Sequence, residues 1–267
     1  PFANEGQTYT TLNHSLKTTT AYPEIGMAGK HFNYLQVKDI SYYSVATPLT
    51  DLYFKTVMEQ GQSSDAFVTL NTSERFNFSI AYKGVRSLGK YINQLTSAGN
   101  FRFTTNYHNK SNTYFLKAHY TGQDLLNGEN GGITTPNDFE SQNSLYKERQ
   151  RLEVYLTDAK SFLKGKRLFV DHSYRFYKSK STYFALHHQF EAESKFFEYN
   201  QATVSSTIGT KTINRFGESY KTADINDQLH YNKLYSKIGI QTAINQTGTL
   251  LFYVDTYRYN YFYNTLL

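Results

Sequence analysis

The chain has 267 residues, with 28 Lys and Arg against 22 Asp and Glu, no Cys, no Trp, 25 Tyr and 20 Phe. That length fits one all-β barrel as a single unit, and the lack of cysteine excludes a disulfide framework, a thiolate metal site and a cysteine nucleophile. The net charge of +6 is spread among interspersed acids without a long basic run, which argues against a nucleic-acid partner.

Aromatic residues make up 17% of the chain, yet its mean hydropathy is −0.60. A soluble core relies on Leu, Ile and Val, whereas a membrane barrel needs an apolar outside, a polar inside and aromatic girdles at both interfaces. Tyr-rich β-sandwiches and carbohydrate-binding modules share part of this texture. No stretch approaches the roughly 18 consecutive apolar residues of a transmembrane helix, so any spanning structure has to be built of strands. The opening Pro1-Phe2-Ala3-Asn4 has no signal-peptide pattern and is expected to be a processed or truncated start.

In chain order, residues 1–50 are expected to form an N-terminal segment leading into a partial β-barrel over 51–267. Strands are expected at 51–60 and 65–71. The clearest one follows at 75–83, with Phe76, Phe78, Ile80 and Tyr82 on one face and Arg75, Asn77, Ser79, Ala81 and Lys83 on the other. Residues 100–108 repeat the pattern, with Phe101, Phe103, Thr105 and Tyr107 opposite Arg102, Thr104, Asn106 and His108. After the turn Asn109-Lys110-Ser111-Asn112, residues 113–121 set Tyr114, Leu116, Ala118 and Tyr120 against Lys117 and His119, completing a hairpin. Strands at 166–178, 182–191, 228–242 and 249–261 bring the total to nine, most of them near the ~9–11 residues of a tilted membrane strand. The alternation breaks at His172, which shares a face with Leu168, Val170, Tyr174 and Phe176, and again where Tyr231, Lys233 and Tyr235 share one. Extension past the bilayer, a bulge or a contact other than lipid would each explain such a break.

Short polar turns at 71–74, 109–112, 178–181 and 245–248 alternate with links at 84–99, 123–165 and 192–227. Outer-membrane barrels have short periplasmic turns and longer extracellular loops, so the alternation assigns a side to each connection. Within 123–165, Asn127-Gly128-Glu129-Asn130-Gly131-Gly132 is turn chemistry. Leu145, Arg149, Leu152, Leu156 and Leu163 then recur at helix-like spacing, predicting a short helix within 144–163 that folds over or into the barrel mouth. Its leucines are expected against barrel aromatics, and its acids Glu148, Glu153 and Asp158 near Lys83, Arg102 and Lys117.

The alternation yields two sets of candidate residues. Phe76, Phe78, Ile80, Tyr82, Phe101, Phe103 and Tyr107 are expected to face lipid. Lys83, Arg102, Lys117, Arg167, Asp171 and Arg175 are expected to line a pore, where an excess of cations would favour anions. Pairing with loop carboxylates or with further strands is the competing explanation for those cations. His187 and His188 point to opposite faces of a strand and cannot jointly hold a metal, while His14, His31, His108, His119, His172 and His230 lack ligand spacing. Asp138 with Glu140, and Asp224 with Asp227, offer too few oxygens for a calcium loop of defined type. No protease, hydrolase or nucleotide-binding motif is present. No catalytic residue, metal or cofactor is therefore expected.

The run 78–91, ending Gly84-Val85-Arg86-Ser87-Leu88-Gly89-Lys90-Tyr91, followed by Gly99-Asn100-Phe101-Arg102-Phe103-Thr104-Thr105, resembles the Putative porin family of Bacteroidota. The likeness extends to Lys30-His31-Phe32-Asn33-Tyr34, to 43–54 with Thr47-Pro48-Leu49-Thr50, to Gln123-Asp124-Leu125-Leu126-Asn127 with Glu129-Asn130-Gly131-Gly132, and to Leu163-Lys164-Gly165-Lys166-Arg167. It covers most of the chain to about residue 190; beyond that only the texture is similar. The resemblance implies an outer-membrane β-barrel in contact with lipid and small solutes. Nine strands cannot close a single-chain bacterial barrel, where the number is even, so this chain is expected to be part of a larger one. Two functions follow: a passive channel, or a structural or accessory subunit of a larger outer-membrane complex with a plugged lumen.

Overall fold

A computed structural model describes residues 4–7, 25, 33–57, 61–178, 182–203, 205–208, 211–214, 224–244 and 248–264. His14 and His31 lie outside the described residues. The strands are β1 (Leu49–Val57), β2 (Gly61–Ser73), β3 (Phe76–Ser87), β4 (Thr96–His108), β5 (Tyr114–Gly128), β6 (Lys160–Lys178), β7 (Thr182–Gln201), β8 (Ser205–Ile208), β9 (Lys211–Asn214), β10 (Ile225–Ile244) and β11 (Gly248–Tyr263). Nine of them form one antiparallel sheet in the order β1-β2-β3-β4-β5-β6-β7-β10-β11, and β8 pairs with β9 in a separate hairpin. The sheet is not closed. Its edge strands β1 and β11 run in the same direction, so the nine strands cannot form an all-antiparallel ring by themselves.

Local chemistry fixes the short turns. Asn109 Oδ1 accepts from the Thr113 and Tyr114 amides at 2.8 and 3.0 Å, while Asn112 supplies the left-handed residue with φ 55°. The expected break near His172 is resolved in two parts. The register between β6 and β7 shifts between Arg175 and Tyr177, a bulge. His172 itself donates to or accepts from His188 at 2.9 Å, and His188 reaches Ser236 at 3.2 Å, so three polar groups satisfy one another across β6, β7 and β10.

The strands run further than hydrophobic alternation predicts, with 19 residues in β6 and 20 each in β7 and β10. The links accordingly shrink to 88–95, 129–159 and 202–224. No helix spans 144–163: the short helix of the long link is α1 (Pro136–Glu140), followed by 3-10 turns at Ser144–Lys147 and Arg149–Arg151. Leu163 belongs to β6 and is buried, Leu152 is buried, and Leu145 is exposed, so these residues do not form one face. The link instead packs on the neighbouring one. Asn93, in the left-handed region at φ 52°, donates from its side-chain amide to the carbonyls of Glu129 and Ala159.

Among the described residues, one face of the sheet is bare and the other is covered by the N-terminal segment. Asn4 and Gln7 bind the Gln94 carbonyl at the long-link end. Residues 33–48 then cross the sheet towards the short-turn end, where the Val45 amide donates to Asn71 and the chain enters β1. The apolar core, which includes Tyr34, Val85, Ala98, Leu125, Leu163, Phe197, Leu229 and Tyr231, lies on this covered face near the long links.

Candidate functional site

Phe76, Phe78, Ile80, Tyr82, Phe101, Phe103 and Tyr107 all lie on the bare face, alternating with buried Asn77, Ser79, Ala81 and Thr104. The aromatics form cross-strand ladders, with Phe78 and Phe103 stacked at 6.5 Å and Tyr107 at 6.5 and 6.2 Å from Phe76 and Tyr114. The band they belong to does not follow the pairing rows. One row on the bare face runs Leu52, Ala66, Tyr82, Phe101, Gly122, Lys166, Ser194, Asn232, Asn260, apolar at one edge and polar at the other. On β11 the apolar stretch is Leu250, Phe252 and Val254, so its centre stands eight residues from that row. Eight residues at ~3.3 Å each, set against eight strand steps of ~4.8 Å, incline the band by roughly 35° to the rows. Membrane barrels tilt their strands by about 35–45°. A level apolar belt therefore runs around the sheet once its strands are tilted, and the long-link halves of β6, β7 and β10 stand clear of it.

The covered face carries the predicted cations and acids, together with partners for most of them. Arg167 is fully buried. Its guanidinium meets Glu193 at 3.3 Å, the Leu35 carbonyl at 2.9 Å and His119 Nε2 at 3.3 Å. Because arginine only donates, His119 Nε2 accepts, which leaves its proton on Nδ1 to be donated to Tyr42 at 2.8 Å. Glu193 also binds Lys195 at 3.2 Å, Lys233 at 3.5 Å and the Tyr34 hydroxyl at 2.9 Å, and Lys233 reaches Glu191 at 2.7 Å. Burial and the adjacent Glu193 push the Tyr34 hydroxyl far above the usual tyrosine range, so it remains a donor. Three cations and two carboxylates thus share one buried network, which is stable only because each charge is paired and hydrogen-bonded.

The network anchors the N-terminal segment. Gln123 closes a two-bond clamp on Leu35, accepting from its amide at 2.7 Å and donating to its carbonyl at 3.0 Å. Gly165 leaves a notch for the Tyr34 ring, which a Cβ at that position would overlap.

The other predicted residues stand apart from this network. Arg102 pairs with Asp65 at 2.8 Å, Lys117 lies over the Tyr42 ring, Arg175 over the Phe115 and Tyr183 rings, and Asp171 accepts from Gln189 at 3.2 Å. Lys83 lies on the same face beside a cavity at the β1 edge. The loop acids are not near Lys83, Arg102 and Lys117 as expected: Glu148 pairs with Arg151 at 2.7 Å, because the long link folds on its neighbour instead of entering the covered face. Sequence reasoning missed Glu193 and Lys195. The signal was their shared parity with Glu191, but neither face of 192–200 is uniformly apolar, so hydrophobic alternation ends too early. Lys233, one of the breaks in alternation within 228–242, makes a contact other than lipid, with Glu191 and Glu193.

An all-antiparallel sheet with an apolar band on one face and a polar lining on the other has the pattern of part of a β-barrel wall. The sequence profile of the Putative porin family matches residues 1–266, and the chain belongs to that family, which implies a porin-like role in the outer membrane. No curated protein and no solved structure matches it.

Proposed function

We propose that the chain forms part of the wall of an outer-membrane β-barrel in a Gram-negative-type bacterium, passing small solutes along its covered face and meeting lipid on its bare one. The observation that carries this reading is the inclined apolar band. Its slope against the pairing rows matches the strand tilt of membrane barrels, a match that a soluble sandwich has no reason to produce. The role is passive and requires no cofactor. One observation favours a second reading, an accessory barrel in a complex with other outer-membrane proteins: residues 33–48 cross the covered face and are clamped there by Gln123, Arg167 and Glu193. Single-channel recording on the complete protein in planar bilayers separates the two. A channel gives discrete conductance steps, whereas an accessory barrel with a fixed plug gives none.

A further inference from the structure

The cavity at the β1 edge has a volume of about 740 Å³ and is walled by β1 to β4 on one side and by Glu5 and Tyr43 of the N-terminal segment on the other. Its charges fall into two groups. Lys55 pairs with Glu5 at 3.0 Å and Arg102 with Asp65 at 2.8 Å, so four of the six charged lining residues neutralise one another. Lys83 and Asp51 have no partner among the described residues, although both line the same space. In the register Lys83 stands opposite Asp65 and Asp51 opposite Phe67, which places the two on either side of β2 and one row apart. With ~4.8 Å between strands and ~3.3 Å per residue, their Cα positions are roughly 12 Å apart, so the short Asp51 side chain does not reach Lys83.

Two further features belong to the same space. The Nε of Arg102 donates to nothing and is sealed from solvent, so on the Lys83 side the guanidinium adds positive charge and no free contact surface. Between the two charges lies Phe67, with the Tyr43 ring 4.6 Å from it at 49°, an apolar floor. Lys83 can hold a carboxylate, Asp51 can hold an ammonium, and the rings can hold an apolar side chain. A neutral sugar could hydrogen-bond these groups but would leave both charges without a counter-charge, and a simple anion would meet Asp51 with nothing to offset it.

We propose that this cavity is a binding site for zwitterionic solutes of short-peptide size, the carboxylate at Lys83 and the ammonium at Asp51. The proposal rests on the channel reading only for its route of entry; the site itself is tested by binding. The complete detergent-solubilised protein is titrated calorimetrically with alanyl-leucine and with the same dipeptide acetylated and amidated. Saturable binding of the free dipeptide is expected. It should weaken by about tenfold or more for the blocked peptide and for Lys83→Gln and Asp51→Asn, the loss expected on deleting one charge-assisted hydrogen bond. Equal binding of free and blocked peptide by the unsubstituted protein overturns the site without recourse to any variant, as does an absence of binding. Proteoliposomes test the channel separately: if they pass neither the dipeptide nor a sugar of equal size while binding persists, the channel reading fails and the site stands.

Discussion

On the bare face of β3, Phe76, Phe78, Ile80 and Tyr82 need only be apolar, and any neighbour of the same kind serves them. On the covered face, Arg167 meets Glu193, Leu35 and His119 through three different nitrogens, and Glu193 in turn serves three cations and a hydroxyl. One face is specified by residue class and the other by residue identity. On the proposed function the reason is the solvent each meets, since lipid asks for apolar surface without geometry, whereas a buried charge asks for particular atoms at particular distances.

The sharpest test of that contrast is Glu193→Ala, which leaves buried Arg167, Lys195 and Lys233 short of a counter-charge. A loss of about 3–5 kcal/mol is expected for breaking a buried pair of this kind, read as a lower urea midpoint for unfolding. A shift too small to measure would mean that the network is solvated and that identity does not matter there.

The next effect belongs to the bare face, where position relative to the inclined band decides the outcome. Val170→Arg, within the band on β6, should cost about 2–4 kcal/mol, and Asn232→Arg, on the same face of β10 but outside it, about 0–1 kcal/mol. Assembly yields in liposomes report the difference. Equal yields would remove the band as an explanation of which bare-face positions tolerate charge.

A smaller effect is expected where the N-terminal segment meets the sheet. Gly165→Ala places a methyl group against the Tyr34 ring, an overpacking cost of about 1–3 kcal/mol. The segment should loosen with the sheet intact, so a cysteine introduced in place of Leu35 should react faster with a maleimide. An unchanged rate would show that the notch does not position the segment.

The contrast also explains what could be read from the sequence. All nine strands of the sheet and their antiparallel meander follow from two-residue alternation, because Phe76 to Tyr82 and Phe101 to Tyr107 announce their faces without reference to anything distant. The ends of β6, β7 and β10 were not legible in that way. Beyond the apolar band both faces mix apolar and polar residues, as with Leu163, Phe197 and Leu229 beside Glu193 and Lys195, and residues such as Ser194 and Glu193 alternate in partner rather than in hydropathy. The helix expected over 144–163 failed for a related reason: leucines at helical spacing also suit a link that buries Leu152 under its neighbour and hands Leu163 to a strand. The clamp on residues 33–48 depends on contacts 88 to 159 positions apart in sequence, which no local pattern encodes. Its members Tyr34, Gln123, Gly165 and Arg167 do fall in the stretches that carry the family resemblance.

The central claim is that the bare face meets lipid along a band inclined to the pairing rows, and the lack of cysteine in the chain makes it directly measurable. Single cysteines at Leu52, Ile80, Val170 and Phe252, and at Lys166, Asn232 and Asn260, carry a nitroxide in the complete protein reconstituted in liposomes. Power saturation with oxygen and with a water-soluble nickel chelate then gives the depth of each. The account predicts the first four in the hydrocarbon and the last three in water, even though Leu52 and Asn260 belong to the same row. Equal depth for Leu52 and Asn260 would contradict it.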